Sequence, residues 1–436
     1  MTSLPPRADV VVVGAGIAGL TAAVTLTHAG VDVAVVEASD GVGGRVRTDR
    51  LDGLRLDRGF QLLNPAYPAV RRLLDLPALR LQSFDAGVVV AFGTRRSVLA
   101  DPRRAPGHLR DSVRAPGSVR EKLAFARWAA LAGFGSADRL KSAPDEPLAA
   151  TLQRHGLDGA LTRGVVAPFL AGVLAEDGRE SSRRFADLVV RSFVRGTPAL
   201  PAEGMQAVPD QLHGRLPPGT VHVGVRALSV SGRSVQTDAG AVTARAVVVA
   251  TDPRSAVALA GLPTVAMRSL TTYYHLADRP PTSSRMLHLD ADRRGPVVNS
   301  AVLSNVAPVY GGDRGALVAT TVLGTRDDAR SEQAVRAQLR LLYATDPDAW
   351  QHVATYPVVD ALPAMLPPLE LTQPVDLGDG LFVAGDHRDT ASLQGALVSG
   401  RRAARAVYRH LGLAPTTGAA RDMAPQSPQK DAPDAR

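Results

Sequence analysis

Three glycines and one glutamate give the first chemical signal in this chain. Gly14, Gly16 and Gly19 form G-x-G-x-x-G, and Glu37 follows 23 residues after the first glycine. Such a set suits the pyrophosphate and ribose of a dinucleotide. Gly14 permits a tight turn, Gly16 lets a pyrophosphate approach the backbone, and Gly19 lets a helix pack closely on a strand. A carboxylate near this spacing accepts ribose hydroxyls. The motif alone is weak, so the elements that carry it decide.

Those elements are legible. Val10 to Val13 are four consecutive valines, the composition of a buried parallel strand. Ile17 to Ala29 has a helical pattern, with Gly30 where a C-cap glycine belongs, and Val31 to Val36 reads as a second strand ending on Glu37. Ile17 and Ala18 open the helix, whose unpaired N–H groups face the phosphates. The uncharged run from Val10 to Thr27 also invites a membrane-span reading. Three glycines within six residues and the acid-terminated strand argue against it.

The 436 residues suffice for two or three domains, and the 45% hydrophobic fraction is that of a soluble globular protein. There is no cysteine, which excludes disulfides, thiolate metal sites, a cysteine nucleophile and a cysteinyl-linked cofactor. The ten histidines are scattered without an H-x-x-x-H pair, so no metal site is expected. The net charge of +8 rests on arginine, because the only lysines are Lys122, Lys141 and Lys430. Acids and arginines alternate through most of the chain, which speaks against a nucleic-acid partner. Arg95 to Arg120 is a denser basic stretch, able to touch an anionic membrane surface peripherally. The first strand begins at Val10 with no secretory signal before it, so the expected location is cytoplasmic. The sequence leaves the oligomeric state open.

After Glu37 the chain runs Ala38-Ser39-Asp40-Gly41-Val42-Gly43-Gly44-Arg45. The glycines allow a second close backbone approach, and Arg45 brings a charge able to pair with pyrophosphate. With Glu37, Gly43, Gly44 and Arg45 in this order, the chain resembles the flavin-dependent amine oxidase, protoporphyrinogen oxidase and phytoene desaturase superfamily. Further segments carry the resemblance. These are Leu56 to Asn64, Val166 to Val173, Pro201-Ala202-Glu203-Gly204-Met205, Leu381 to Asp386 and Ala391 to Gly400. The third departs from the family's P-x-G-G-M at Glu203.

The resemblance implies FAD as the cofactor. Glu37 and the adjoining Ala38 would lie at the adenosine ribose, and Val225, with Val223 as the register alternative, at the adenine. Gly59, Phe60, Gln61 and Leu62 would lie beside the isoalloxazine, with Gln61 and Asn64 as the nearest polar groups. Gly385 and Asp386 would meet the ribityl or ribose hydroxyls. Gln394, Gly395 and Ala396 would belong to a helix pointing its N-terminus at the flavin N1 and O2 edge.

The implied fold is α/β: a glutathione-reductase-like, Rossmann-type FAD domain with an interleaved α+β substrate domain. The FAD domain is expected from residues 1–85, 201–261 and 366–412, and the substrate domain from 86–200 and 262–365. Residues 413–436 are rich in Pro, Ala, Gln and charge, and are expected to be disordered. Strands are expected at Ala86 to Phe92, Ser97 to Ala100, Thr271 to Leu276, Pro296 to Leu303 and Ala316 to Leu323. A three-stranded meander is expected over Val221 to Val249. Helices are expected at Val119 to Phe134, with Ala124, Phe125, Trp128 and Leu131 facing the core, and at Glu146 to His155, Gly159 to Leu174 and Ser331 to Leu342.

The implied chemistry is hydride removal from a substrate C–H to flavin N5, a reaction that needs no protein base. Gln61, Tyr274 and His387 are the candidate catalytic residues. Amine oxidases of this superfamily often carry a lysine in the substrate sheet, but residues 262–365 contain none. They also place an aromatic residue where Leu393 and Gln394 stand. Both departures favour a desaturase-type oxidation of an apolar, lipophilic small molecule, with oxygen or a quinone as electron acceptor. Amine oxidation and reduced-flavin isomerisation are the alternatives. A non-catalytic protein stabilised by FAD is the alternative from another class.

Overall fold

The computed structural model describes residues 4–413. The tail expected to be disordered lies outside them, apart from Leu413.

Two sheets organise the chain. The first is parallel, in the order Leu381–Val383, Ala246–Val249, Val10–Val13, Val33–Glu37 and Val221–Val223. Its central strands are valine runs buried on both faces, as a covered parallel sheet requires. Burying each such side chain contributes roughly 1.5–3 kcal/mol. The Ile17–His28 helix is buried over most of its surface rather than along one stripe, because it lies between this sheet and the C-terminal helix Leu393–His410. At that helix contact a side chain on Gly400 would overlap the Ala18 carbonyl, so the two backbones meet directly.

The expected meander over 221–249 divides between two sheets. Val221–Val223 and Ala246–Val249 join the parallel sheet, while Ala227–Ser231, Ser234–Thr237 and Gly240–Thr243 form a separate antiparallel one. The break has a backbone cause. Gly224 takes a φ of +71°, and the N–H groups of Gly224 and Val225 donate to the Ser39 and Glu37 carbonyls instead of a hairpin partner.

The second sheet has seven strands, ordered Gln351–Pro363, Met267–Ala277, Ala316–Leu323, Val297–Val302, Leu287–Asp290, Gly87–Phe92 and Arg95–Ala100. Only Leu287–Asp290 and Gly87–Phe92 pair in parallel. Gln351–Pro363, absent from the sequence expectations, is an edge strand. There its prolines cost the ladder little.

Helices cover both faces of this sheet: Ala329–Tyr343 packs on the Tyr273 and Val318 side, and the helices of residues 119–195 pack on the Tyr274 and Leu317 side. Val119–Phe134 forms as expected, but Leu131 points to solvent. The inward side is Glu121, Trp128, Ala132 and Gly133. Trp128 Nε1 donates to Asp187 at 2.8 Å, and the Glu121 carboxylate accepts from the backbone N–H groups of Leu161 and Thr162 at 3.0 and 2.9 Å. Those bonds fix which face the helix turns inward. Beneath it runs Arg183–Arg195, a helix not anticipated from the sequence, begun by Ser182 accepting from the Arg184 N–H.

Candidate functional site

The carboxyl ends of the parallel strands open on a cavity of about 590 Å³, within the range of small-molecule sites. From the glycine-rich turn, Gly14, Gly16, Ile17 and Ala18 line it. Glu37 and Ala38 follow, then Gly43, Gly44 and Arg45. Gly59, Phe60, Gln61 and Leu62 add a third loop. Val225, Gly385, Asp386 and Ala396 complete the set drawn from distant parts of the chain.

The three motif glycines differ in what they permit. Gly14 has a φ of +104°, and a side chain there would meet the Ala250 carbonyl oxygen at 2.7 Å. Gly16 faces open cavity, and a methyl placed there would have nothing within 4 Å. Gly19 does not reach the cavity. A methyl there would overlap the Gly14 carbonyl, so its work is helix-to-strand contact.

Glu37 is held by the same turn. Its Oε2 accepts from the Ala15 N–H at 2.7 Å, and its Oε1 accepts from the Ser39 N–H and hydroxyl at 2.9 and 2.8 Å. Val225 is buried on the cavity wall, whereas Val223 is exposed and off it, so the wall takes Val225 of the two registers.

Three arginines line the cavity, Arg45, Arg58 and Arg226, and Arg45 is the one paired with Asp386. Its Nη2 donates to Asp386 at 2.6 Å and its Nη1 to the Ala361 carbonyl at 2.8 Å. Burial opposes its charge, but Asp386, Asp252 and Asp360 outweigh burial and hold its pKa above the ordinary value.

Other expected residues are placed differently. Gln61 lines the cavity, but its Nε2 donates to the Arg45 and Arg58 carbonyls at 2.7 and 3.1 Å, which makes it a brace between loops. Asn64 likewise bonds backbone, donating to Ser192 O and accepting from Ala66 N–H. Tyr274 is fully buried away from the cavity. It shares a strand face with Leu270, which reaches the wall, and Thr272, which accepts from the Phe60 N–H. Farther along the strand, its hydroxyl donates to the Asp57 carbonyl at 2.8 Å.

His387 also stays off the wall. It is buried against Gly385 with both ring nitrogens unpartnered. Burial pushes its pKa down to about 4, only partly opposed by Asp386. Gln394 accepts from the Ala69 N–H at 2.8 Å, and Gly395 packs on the Thr390 carbonyl. Neither reaches the cavity, although Ser392, Leu393 and Ala396 of the same helix start do.

The remaining wall comes from the helices and the seven-stranded sheet. Gly172, Val173, Phe185, Val189, Phe193, Leu270, Leu287 and Leu362 are apolar, with Asn299 among them. Sequence reasoning missed Phe185, Val189 and Phe193. Their i, i+4, i+8 spacing behind a serine cap was the available signal. Asn299 had no signal, because it sits inside an apolar strand.

The residues of the glycine-lined half fit FAD. There is open space at Gly16, a fixed acid at the turn, and a half-buried, paired cation at Arg45. Among the described residues no three His, Asp or Glu side chains gather in a way that would hold a metal ion.

A family model described as flavin-containing amine oxidoreductase matches residues 17–408. Among solved structures, a candidate protoporphyrinogen oxidase from Exiguobacterium sp. 255-15 has a TM-score of 0.69 at 19% identity, covering 94% of this chain and 100% of that one. Cyclohexylamine oxidase from Brevibacterium oxydans IH-35A has a TM-score of 0.71 at 17% identity, with coverage of 94% and 100%. Putrescine oxidase from Kocuria rosea is 52% identical over 67 residues, 15% of this chain and 14% of that enzyme. The first curated relatives are matched over 22% or less of their length. From residue 17 to residue 408, then, the chain belongs to the flavin-containing amine oxidoreductase family, and it is an FAD-dependent oxidoreductase.

Proposed function

We propose that the protein oxidises an apolar small molecule by a desaturase-type removal of hydride from a C–H bond. The observation that carries this reading is the distribution of charge on the cavity wall. Its carboxylates, Glu37, Asp252 and Asp386, all belong to the glycine-lined half. The half built from Val173, Phe185, Val189, Phe193 and Leu287 has none, so an ammonium group there would be buried unpaired, at a cost of several kcal/mol.

Bound FAD supplies the hydride acceptor. The chain's own residues bind and orient. Glu37 would accept the adenosine ribose hydroxyls, Val225 would border the adenine, Arg45 would pair with pyrophosphate, and Asp386 would accept from the ribityl chain. Gln61 braces the Gly59–Leu62 loop, which would border the flavin, by donating to the carbonyls of Arg45 and Arg58. Tyr274 and His387 support from behind, the first through Asp57 and the second through Gly385. The apolar wall excludes water and presents the C–H bond, and Asn299 offers it one polar contact. The net oxidation would remove a hydride from one carbon and a proton from its neighbour, the proton ending in bulk solvent outside the apolar wall, and would leave a C=C bond. Oxygen or a quinone would be the terminal electron acceptor.

On this reading residues 1–85, 201–261 and 366–412 form the cofactor domain, and 86–200 and 262–365 the substrate domain. A lipophilic substrate also suits a protein that touches a membrane peripherally.

Amine oxidation is the second reading. It is favoured by the names of the putrescine and cyclohexylamine oxidases and by Asn299, whose side chain can hydrogen-bond a neutral amine. Val189→Trp tests the assignment of the two halves. It should fill the apolar half, leave FAD binding within about twofold and abolish flavin reduction by substrate. Loss of FAD together with activity would contradict the division.

A further inference from the structure

Thirteen large apolar side chains are exposed among the described residues, and six of them fall within residues 109–134. They are Leu109, Val113, Val119, Leu123, Leu131 and Phe134, each 52–68% exposed. All lie on two consecutive helices, Leu109–Arg114 and Val119–Phe134. The spacings of Leu109 to Val113 and of Val119 to Leu123 are one helical turn each, so each pair shares a face. The opposite face of the longer helix is pinned inward by Trp128 and Glu121, so the outward face is not a product of a loosely held helix.

The charge around this face is predominantly positive. Residues 95–134 carry nine Arg and Lys against three Asp and Glu, an excess of six in a chain whose whole net charge is +8. Arg110, Arg114, Arg120 and Arg127 are exposed and make no hydrogen bond or ion pair with the described residues. Arg103 lies over the Phe134 ring, 5.3 Å from its centroid.

We propose that this face docks on an anionic lipid bilayer, its apolar side chains entering the headgroup boundary and its arginines meeting lipid phosphates. Exposed apolar side chains interspersed with unpaired cations on two consecutive helices match an interfacial helix surface. A second copy of the chain fits worse, because a two-fold contact would set the same arginines against each other. Nucleic acid would leave the apolar side chains without a partner. No described helix is long and apolar enough to cross a membrane, so the contact is peripheral. The location also makes chemical sense. Trp128 and Gly133 pack on the Arg183–Arg195 helix, whose Phe185, Val189 and Phe193 line the apolar half of the cavity. One helix separates the docking face from the substrate wall.

The test is co-sedimentation of the FAD-loaded full chain with vesicles of phosphatidylcholine alone or mixed with phosphatidylglycerol. The wild type should pellet with mixed vesicles, at least tenfold more tightly than with phosphatidylcholine, and be released by salt. Leu123→Asp with Phe134→Asp should weaken binding at least tenfold, and Arg114→Gln with Arg120→Gln and Arg127→Gln should do the same without changing any apolar contact. Both variants should keep the wild-type flavin spectrum. Failure of the wild type to bind, equal binding to both vesicles, or undiminished binding of the charge variant would overturn the proposal. So would a lipid-free dimer that the Leu123→Asp and Phe134→Asp variant dissociates. The readout is independent of substrate, so it stands or falls apart from the proposed reaction.

Discussion

Arg45 and Asp386 lie 341 residues apart and meet at 2.6 Å on the cavity wall. This pair ties the loop after the glycine-rich turn to the last strand of the parallel sheet. It also holds in register the two groups that would serve the pyrophosphate and the ribityl chain.

Breaking the pair leaves one mostly buried charge alone. Asp386→Asn and Arg45→Met should each destabilise the FAD-free protein by about 1–3 kcal/mol, between the values for exposed and buried pairs. The double variant should lose less than the sum. Urea unfolding of the three variants measures this, and strict additivity would mean the contact carries no coupling.

Gly16 and Gly19 should separate folding from cofactor binding. A methyl at Gly19 overlaps the Gly14 carbonyl, so Gly19→Ala should cost roughly 3 kcal/mol or more and give little folded protein. A methyl at Gly16 meets nothing in the FAD-free protein. Gly16→Ala should therefore unfold at the wild-type urea concentration yet bind FAD at least tenfold more weakly. Normal FAD affinity in Gly16→Ala would remove the pyrophosphate from that position.

Glu37 is already fixed by the Ala15 and Ser39 N–H groups, so it would meet a ribose without rearrangement. Glu37→Gln replaces an acceptor oxygen with a donor amide. Losing hydrogen bonds to a charged group should weaken FAD binding about 10–100-fold. Fluorescence quenching on titrating FAD into the apoprotein reads the change directly.

His387 should give stability a pH dependence. Burial holds it near 4 in the fold, against about 6.5 in the unfolded chain. Above the unfolded value both states are neutral. As pH falls from about 6.5 to about 4, the unfolded chain takes a proton the fold refuses. Stability is then lost by about 1.4 kcal/mol per pH unit, roughly 3 kcal/mol in total. His288, also held near 4 by burial, adds to this slope, while Asp57, pushed up to about 6 by burial, opposes it. The readout is therefore the difference between His387→Phe and wild type in urea midpoints from pH 4.5 to 7. The variant should be shallower by about one proton.

The glycine-lined half was legible because its signals are local. A turn needing positive φ demands Gly14, and a strand ending at a ribose demands an acid, so single residues at fixed spacing carry the meaning. The apolar half is written in helix faces that only packing orients. Phe185, Val189 and Phe193 look like any core stripe until the Val119–Phe134 helix covers their far side. Leu131 misled for the same reason, since its spacing suits a core position but the bonds of Trp128 and Glu121 turn the helix otherwise. Tyr274 and His387 were plausible by type. One lies too far along its strand and the other is turned behind Gly385.

The central claim is that the cavity holds FAD at its glycine-lined half and oxidises an apolar substrate in the other. Anaerobic bleaching of the visible flavin band tests it most directly, with lipophilic polyenes and porphyrinogens in one series and primary and secondary amines in another. Bleaching by an apolar compound and not by amines is the predicted result. Bleaching by amines alone would transfer the apolar half to amine oxidation, and a protein that takes up no FAD would contradict the account at its base.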